Sequence, residues 1–148
     1  MHIWVDGDAC PAVIKDILFR AADRTGTRLT LVANKLLRVP PSANIRSIQV
    51  PRGFDVADDH IAGEMQPGDL VVTADVPLAS QVIDRGGVAL NPRGTFYTAE
   101  NVKEHLAMRN FMEQMRSEGM EGGGPAAFSN ADRQAFANQL DRWLARKQ

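Results

Sequence analysis

Short apolar runs alternate along this chain with segments in which apolar residues recur at helical spacing. Each run is bounded by Gly, Pro, Asn or Asp and predicts a strand. The predicted strands are Ile3–Val5, Leu29–Ala33, Ile45–Val50, Leu70–Thr73 and Val88–Leu90. The intervening segments predict helices over 11–26, 55–65 and 76–85. Strands that alternate with helices imply a mainly parallel sheet that is covered on both faces.

The last third of the chain predicts two more helices. Thr98 and Ser129 are candidate N-caps, and a Gly-Gly-Gly-Pro break over 122–125 separates the two segments. Their apolar stripes, with Met and Phe in the first helix and Phe136 to Leu144 in the second, are typical of core packing. We therefore predict one α/β domain over 1–148, a three-layer fold with strand order 3-2-1-4-5 and a C-terminal helical hairpin from about 98 to 148.

Composition excludes several classes of protein. No apolar run approaches about 18 residues, so no transmembrane helix is expected. The N-terminus lacks a basic segment followed by an apolar core, so no secretory signal is expected. Cys10 is the single cysteine and cannot form an internal disulfide. A cytoplasmic protein without a membrane partner is the resulting prediction.

Aspartates follow two of the predicted strands. The first strand runs into "VDGDACP", which contains Asp6 and Asp8, and the fourth strand ends at Asp75. In a sheet ordered 3-2-1-4-5 these two strands are neighbours, and their carboxyl ends meet at one edge. On the helix over 55–65, Asp58 borders the apolar face, whereas Asp59 points further toward solvent. Clustered carboxylates without His or Cys favour a hard cation, Mg²⁺ or Mn²⁺.

An aspartate between a strand and a helix is often only an N-cap, and Asp6 or Asp8 could cap the following helix. A cap is the preferred interpretation for any one of these residues, but the convergence of four favours a metal site. The predicted catalytic residues are Asp6, Asp8, Asp58 and Asp75, and the predicted metal ligands are Asp6, Asp58, Asp59 and Asp75. The helix ligand itself stays open among Asp55, Asp58 and Asp59.

The basic residues are unevenly distributed. No Asp or Glu occurs from Thr25 to Phe54, and this acid-free segment carries Arg28, Lys35, Arg38, Arg46 and Arg52. A basic segment beside an acidic one suits a polyanion held near bound cations, although each charge alone would be an ordinary surface residue. We predict single-stranded RNA as the partner. The predicted substrate-binding residues are Asn34, Lys35, Arg38, Arg52, Thr73 and Arg93.

Four stretches of the chain resemble the YaiI/YqxD family of bacterial proteins, whose activity is not established. They are "VDGDACP", "RGFDVADDHIA", "PGDLVVTADVPLA" and "LNPRGTFYT". A more distant resemblance links "VVTADVPLA" to the Thr-x-Asp-x-x-Leu-Ala element of PIN-like nucleases, through Thr73 and Asp75. "RGFDVADD" is similar to the Lys-Gly-x-Asp-Val element of NYN nucleases, with Arg52 in place of the Lys and Asp55 as the acid.

The nuclease resemblance implies a PIN-like fold, with Asp6 as the acid of the first strand. Asp8 and the C-terminal helices depart from the general nuclease pattern. Three functions stay open: a metal-dependent ribonuclease or related phosphodiesterase, a phosphatase of the haloacid dehalogenase type, and a non-catalytic RNA-binding module. The phosphatase would use Asp6 as nucleophile and Asp8 as acid or base. No downstream Lys and acidic metal-ligand pair supports it, and the chain is short for that class.

Overall fold

The computed structural model describes residues 1–53, 55–117, 119 and 127–147. The strands are β1 (His2–Asp6), β2 (Arg28–Ala33), β3 (Ile45–Gln49), β4 (Leu70–Val72) and β5 (Val88–Leu90). The helices are α1 (Ala12–Thr25), α2 (Val56–Glu64), α3 (Val76–Asp84), α4 (Ala99–Ser117) and α5 (Asn130–Lys147). Where the sequence predicted bounds for an element, the structure agrees within one residue. The predicted glycine-rich break over 122–125 lies outside the described residues.

The five strands form one sheet in the order β3-β2-β1-β4-β5, and every neighbouring pair is parallel. The predicted α/β class and strand order are therefore confirmed. β1 lies at the centre, where Ile3 is in register with Leu29 of β2 and with Leu70 of β4. Because all strands run in one direction, the loops that follow β1, β2 and β4 emerge at the same edge.

Two apolar layers cover the two faces of the sheet. On one face, Ile14 and Leu18 of α1 pack with Phe136 and Leu140 of α5 against Ile3 and its strand neighbours. On the other face, Ile61 of α2 and Leu78 of α3 belong to a second cluster centred on Trp4 and Val71. Each large side chain buried in this way contributes about 1.5–3 kcal/mol of hydrophobic stabilisation. The two helical layers therefore stabilise the sheet whose carboxyl edge carries the aspartates.

The two C-terminal helices are present as predicted but pack on different faces of the sheet. The buried Val102 of α4 joins the cluster formed with α3, whereas α5 packs against α1. Among the described residues, α4 packs mainly on α3, and its 19 residues extend well beyond the 9 residues of α3. Met108 and Phe111 are exposed, so the expectation of core packing is wrong at these positions, although Val102 of the same helix is buried. Across the described residues, no helix has the length and apolar character to cross a membrane.

Candidate metal centre

Gly7 separates Asp6, the last residue of β1, from Asp8. The Gly7 N–H donates to the Val32 carbonyl oxygen at 2.9 Å, which holds the loop against the end of β2. A Cβ on Gly7 would lie 2.6 Å from Leu37 Cδ1, so a larger residue would require the Leu37 side chain to move. The side chain of Asp8 also turns toward β2, where its Oδ2 accepts the backbone N–H of Asn34 at 2.9 Å.

Thr73 connects the aspartates of β1 and β4. Its buried hydroxyl donates to Asp6 Oδ2 at 3.4 Å and accepts the backbone N–H of Asp75 at 2.9 Å. Asp75 is the N-cap of α3, and its Oδ1 accepts the Leu78 N–H at 2.8 Å. The cap interpretation therefore holds for Asp75, while neither Asp6 nor Asp8 caps α1, whose N-cap is Pro11. The hydrogen bond from the Asp75 N–H to Thr73 and the one from the Leu78 N–H to Asp75 hold the Asp75 carboxylate at the edge of the sheet beside Asp6.

Asp55 contributes a third acid from the segment that precedes α2. It occupies the N-cap position with φ 62°, and within the described residues it is the one non-glycine residue with a positive φ. Asp tolerates this left-handed conformation better than most residues, but the conformation still costs free energy and occurs most often at functional sites. Its side chain makes no capping hydrogen bond. The carboxylate is directed instead toward Asp58 and Asp75.

Three aspartates form a compact acidic group at this edge, which we call the carboxylate cluster: Asp55, Asp58 and Asp75. One carboxylate oxygen from each residue lies within 4.8 Å of the other two. Asp55 is exposed, and the other two are half-buried. Asp6 is close enough for its charge to act on Asp58. Oxygen ligands alone suit a hard divalent cation, so these residues are compatible with Mg²⁺ or Mn²⁺.

Crowding of like charges perturbs the titration of two of these acids. Burial, followed by the charges of Asp75, Asp6 and Asp55, raises the pKa of Asp58 to about 7. A hydrogen bond with Asp75 adds to this rise, because it favours the protonated form of Asp58. Burial first, and then Asp75 and Asp8, raises the pKa of Asp6, whereas the Thr73 hydrogen bond opposes that change. A bound cation would relieve this repulsion and favour the ionised forms.

The structure does not bring every predicted acid into the cluster. Asp6 and Asp59 were predicted as ligands but are not members of the group of three. Asp59 is exposed on α2, and Asp8 is exposed and bonded to the loop after β2. Asp55 belongs to the cluster, although the predicted ligand set omitted it and kept it only as an open alternative for the helix ligand. The sequence did contain one indication that Asp55 belongs to the site, because Asp55 is the acid of the segment that resembles the NYN element.

Among the predicted substrate-binding residues, Asn34 is exposed, and Thr73 is buried with its hydroxyl bonded to Asp6. The four basic ones fall into two groups. Lys35, Arg38 and Arg52 are exposed in the segments that follow β2 and β3. Arg93 is instead engaged within the fold, where it forms an ion pair of 2.7 Å with Asp132 of α5. Only the first group therefore presents guanidinium and ammonium groups to solvent beside the acids.

Tyr97 lies close enough to Asp75 to respond to its charge, and it was not singled out from the sequence. The buried Tyr97 hydroxyl accepts a 2.8 Å hydrogen bond from Asn91 Nδ2. Burial raises the pKa of Tyr97, and the negative charge of Asp75 adds to the rise. Cys10 is also buried, and burial raises the pKa of its thiol to about 12. Cys10 is therefore a packing residue rather than a thiolate nucleophile.

Comparisons with known proteins agree over the whole chain. A family model described as "Uncharacterized BCR, YaiI/YqxD family" matches residues 4–146. A UPF0178 protein of Dechloromonas aromatica is 66% identical over 146 residues, which cover 99% of this chain and 97% of the relative. A UPF0178 protein of Bordetella avium is 65% identical over 147 residues, with 99% and 96% covered. Among solved structures, none matches the chain.

Proposed function

The chain belongs to the YaiI/YqxD family, and from its geometry we propose that it is a metal-dependent ribonuclease or a related phosphodiesterase. The observation that carries this proposal is the carboxylate cluster, with three ligand oxygens within 4.8 Å at the carboxyl edge of a parallel sheet. That edge is where open α/β sheets bind ligands. The distant resemblance to PIN-like nucleases supports the same class of reaction.

The acids divide into metal ligands, a proton acceptor and a residue that positions a loop. Asp55, Asp58 and Asp75 would bind Mg²⁺ or Mn²⁺, and the bound ion would activate a water and offset charge on the phosphate. Asp6 Oδ2 is held by Thr73, and Asp6 would act as the proton acceptor from the attacking water. Asp8 positions the loop after β2 through the Asn34 N–H. Asp58 must lose its proton before it binds a cation, so the affinity for the metal should rise with pH up to about 7.

RNA is the proposed substrate because several cations flank the acids. Lys35, Arg38 and Arg52 project from two loops at the same edge and can contact phosphates on either side of the bond that is cleaved. Such contacts position a chain without selecting its sequence. Binding should therefore depend strongly on salt and weakly on base composition.

The test is cleavage of a 5′-labelled single-stranded RNA with Mn²⁺, with Mg²⁺ and with EDTA. We expect Mn²⁺-dependent products from the parent and a loss of at least about a hundredfold for Asp58→Asn and for Asp75→Asn. The matched control is Asp59→Asn, because Asp59 lies on the same turn of α2 but outside the cluster. Calorimetric titration of Mn²⁺ into the same proteins separates loss of the metal from loss of turnover.

Three outcomes would reject the nuclease hypothesis. RNA binding that survives EDTA and yields no product would indicate a non-catalytic RNA-binding module. Covalent trapping of a fluoride phosphate analogue on Asp6 would indicate the phosphatase instead. Equal cleavage by the parent and by Asp58→Asn would show that the cluster is not the catalytic centre.

A further inference from the structure

The acid-free segment identified in the sequence contributes cations to both edges of the sheet. Lys35, Arg38 and Arg52 follow strands, whereas Arg28 is the first residue of β2 and Arg46 the second residue of β3. Residues that begin parallel strands lie at the opposite edge from residues that follow them. Arg28 and Arg46 therefore lie at the amino edge of the sheet, away from the carboxylate cluster, and the proposed nuclease reaction does not use them.

Strand register places these two arginines on one face of the sheet. Arg28 is paired with His2 and Arg46 with Thr30, and paired residues on parallel strands point to the same face. Thr30 is in turn paired with Trp4, so this face is the one covered by α2 and α3. Those helices leave the corner over β3 open, since no helix in the described part of the chain packs extensively on β3.

A small cavity occupies this open corner. Its volume is about 250 Å³, and its lining consists of His2, Arg28, Thr30, Ala43, Asn44 and Arg46. The lining contains two arginines, a threonine and an asparagine but no acid. A cavity of this size suits a single small group rather than an extended ligand. An adjoining cavity of about 340 Å³ shares His2 and both arginines and reaches the acids Glu64 and Asp69.

The guanidinium groups of the small cavity have no ion-pair partner among the described residues. Neither the Arg28 nor the Arg46 side chain forms an ion pair or hydrogen bond with any residue that the structure describes. Asp69, an acid of the adjoining cavity, accepts hydrogen bonds from the N–H groups of His2, Trp4 and Gln66 instead. Burial lowers the pKa of His2 to about 4, and both arginines add to that effect. The imidazole is therefore neutral at physiological pH, and its ring contacts Thr30 Oγ1 at 2.7 Å.

We propose that Arg28 and Arg46, together with Asn44, bind one phosphate group at the amino edge of the sheet. Paired guanidinium groups match the charge and the hydrogen-bonding geometry of a phosphate. Four residue steps of β1 separate His2 from Asp6, which is about 13 Å along the strand. The phosphate bound here is therefore distinct from one at the carboxylate cluster, and this inference does not depend on the proposed nuclease activity.

The phosphate group could come from two sources, a free phosphomonoester or a polynucleotide backbone. The experiment is a titration of ¹⁵N-labelled protein in EDTA at constant ionic strength, followed by amide chemical shifts. Inorganic phosphate, adenosine monophosphate and a single-stranded pentanucleotide are the three probes. We expect saturable shifts centred on Arg28, Thr30, Asn44 and Arg46. A pentanucleotide that binds at least about tenfold tighter than inorganic phosphate would identify the backbone as the source, and similar affinities for all three would identify a phosphomonoester.

Variants test whether the two arginines make the site. Arg28→Gln and Arg46→Gln should each weaken phosphate binding about tenfold, because each removes a charge-assisted contact. The control is Arg116→Gln, which removes an equally exposed arginine from α4 and should bind like the parent. Asp58→Asn should also bind like the parent, which separates this site from the carboxylate cluster. The proposal is overturned if no probe gives saturable shifts, or if both arginine variants bind phosphate as well as the parent.

Discussion

Replacement of Asp58 by Asn should make the metal-free protein more stable at high pH. The carboxyl of Asp58 has a pKa of about 7 in the folded chain, compared with an ordinary value of 3.8. A rise of about 3 pH units corresponds to about 4 kcal/mol at about 1.36 kcal/mol for each unit. Asp58 is only half-buried, so solvent screens the repulsion and we expect about 1–2 kcal/mol.

The sign follows from proton binding. Below about pH 4 Asp58 is protonated in both the folded and the unfolded chain, and it adds no dependence on pH. Between about pH 4 and pH 7 the folded chain retains a proton that the unfolded chain has lost, so the free energy of unfolding falls as pH rises. Above about pH 7 the loss is complete. Asn cannot ionise, so the Asp58→Asn variant is spared this loss.

The assay is urea unfolding of the parent and of Asp58→Asn in EDTA at about pH 4, 5, 6, 7 and 8. The difference between the two free energies of unfolding is the quantity of interest, because it cancels the titration of acids that do not interact with Asp58. We expect it to shift by about 1–2 kcal/mol in favour of the variant across this range. Asp59→Asn is the control and should show no such trend. A difference that stays constant with pH would refute the reasoning, since it would mean that Asp58 ionises normally in the folded chain.

Three further predictions concern the cap of α3 and the packing of α5. In EDTA, Asp75→Ala should have a free energy of unfolding about 1 kcal/mol below that of Asp75→Asn, because both remove the charge but only Ala leaves the Leu78 N–H without its capping acceptor; urea unfolding compares them. Gly94→Ala should cost about 1–3 kcal/mol in thermal melts, because its Cβ would lie 2.5 Å from the Ala135 backbone carbon. Phe136→Ala should cost about 3–5 kcal/mol, and a melting temperature equal to that of the parent would contradict the assigned core.

The sheet could be predicted because its signals are local and its topology is constrained. Alternation of strands and helices restricts an α/β chain to a few strand orders, and the order 3-2-1-4-5 is the one observed. The placement of α4 and α5 could not be predicted in the same way. An apolar stripe shows that a helix can pack but not which face of the sheet receives it. The structure shows that α5 packs on the α1 face through long-range contacts, chiefly those of Phe136 and Leu140 with α1 and β1.

The candidate site, too, could be predicted only in part from the sequence. The convergence of Asp6 and Asp75 followed from neighbouring strands that end at one edge. The preference for Asp58 over Asp59 followed from a helical projection, which applies only to residues inside a helix. Asp55 precedes α2 and has a left-handed backbone, so that projection could not place its side chain. The structure shows that both acids belong to the cluster.

The direction of the strands divides the positive charge of the acid-free segment between two separate surfaces. The sequence suggests one basic surface, but the structure divides its cations between the two edges of the sheet, with Lys35, Arg38 and Arg52 beside the acids. Single-stranded RNA that binds only at the carboxyl edge should release counterions with a logarithmic salt slope of about −2, at about −0.7 for each of three contacts. If the same strand also reached Arg28 and Arg46, the slope would approach about −3.5. A slope near zero would remove RNA from consideration at either edge.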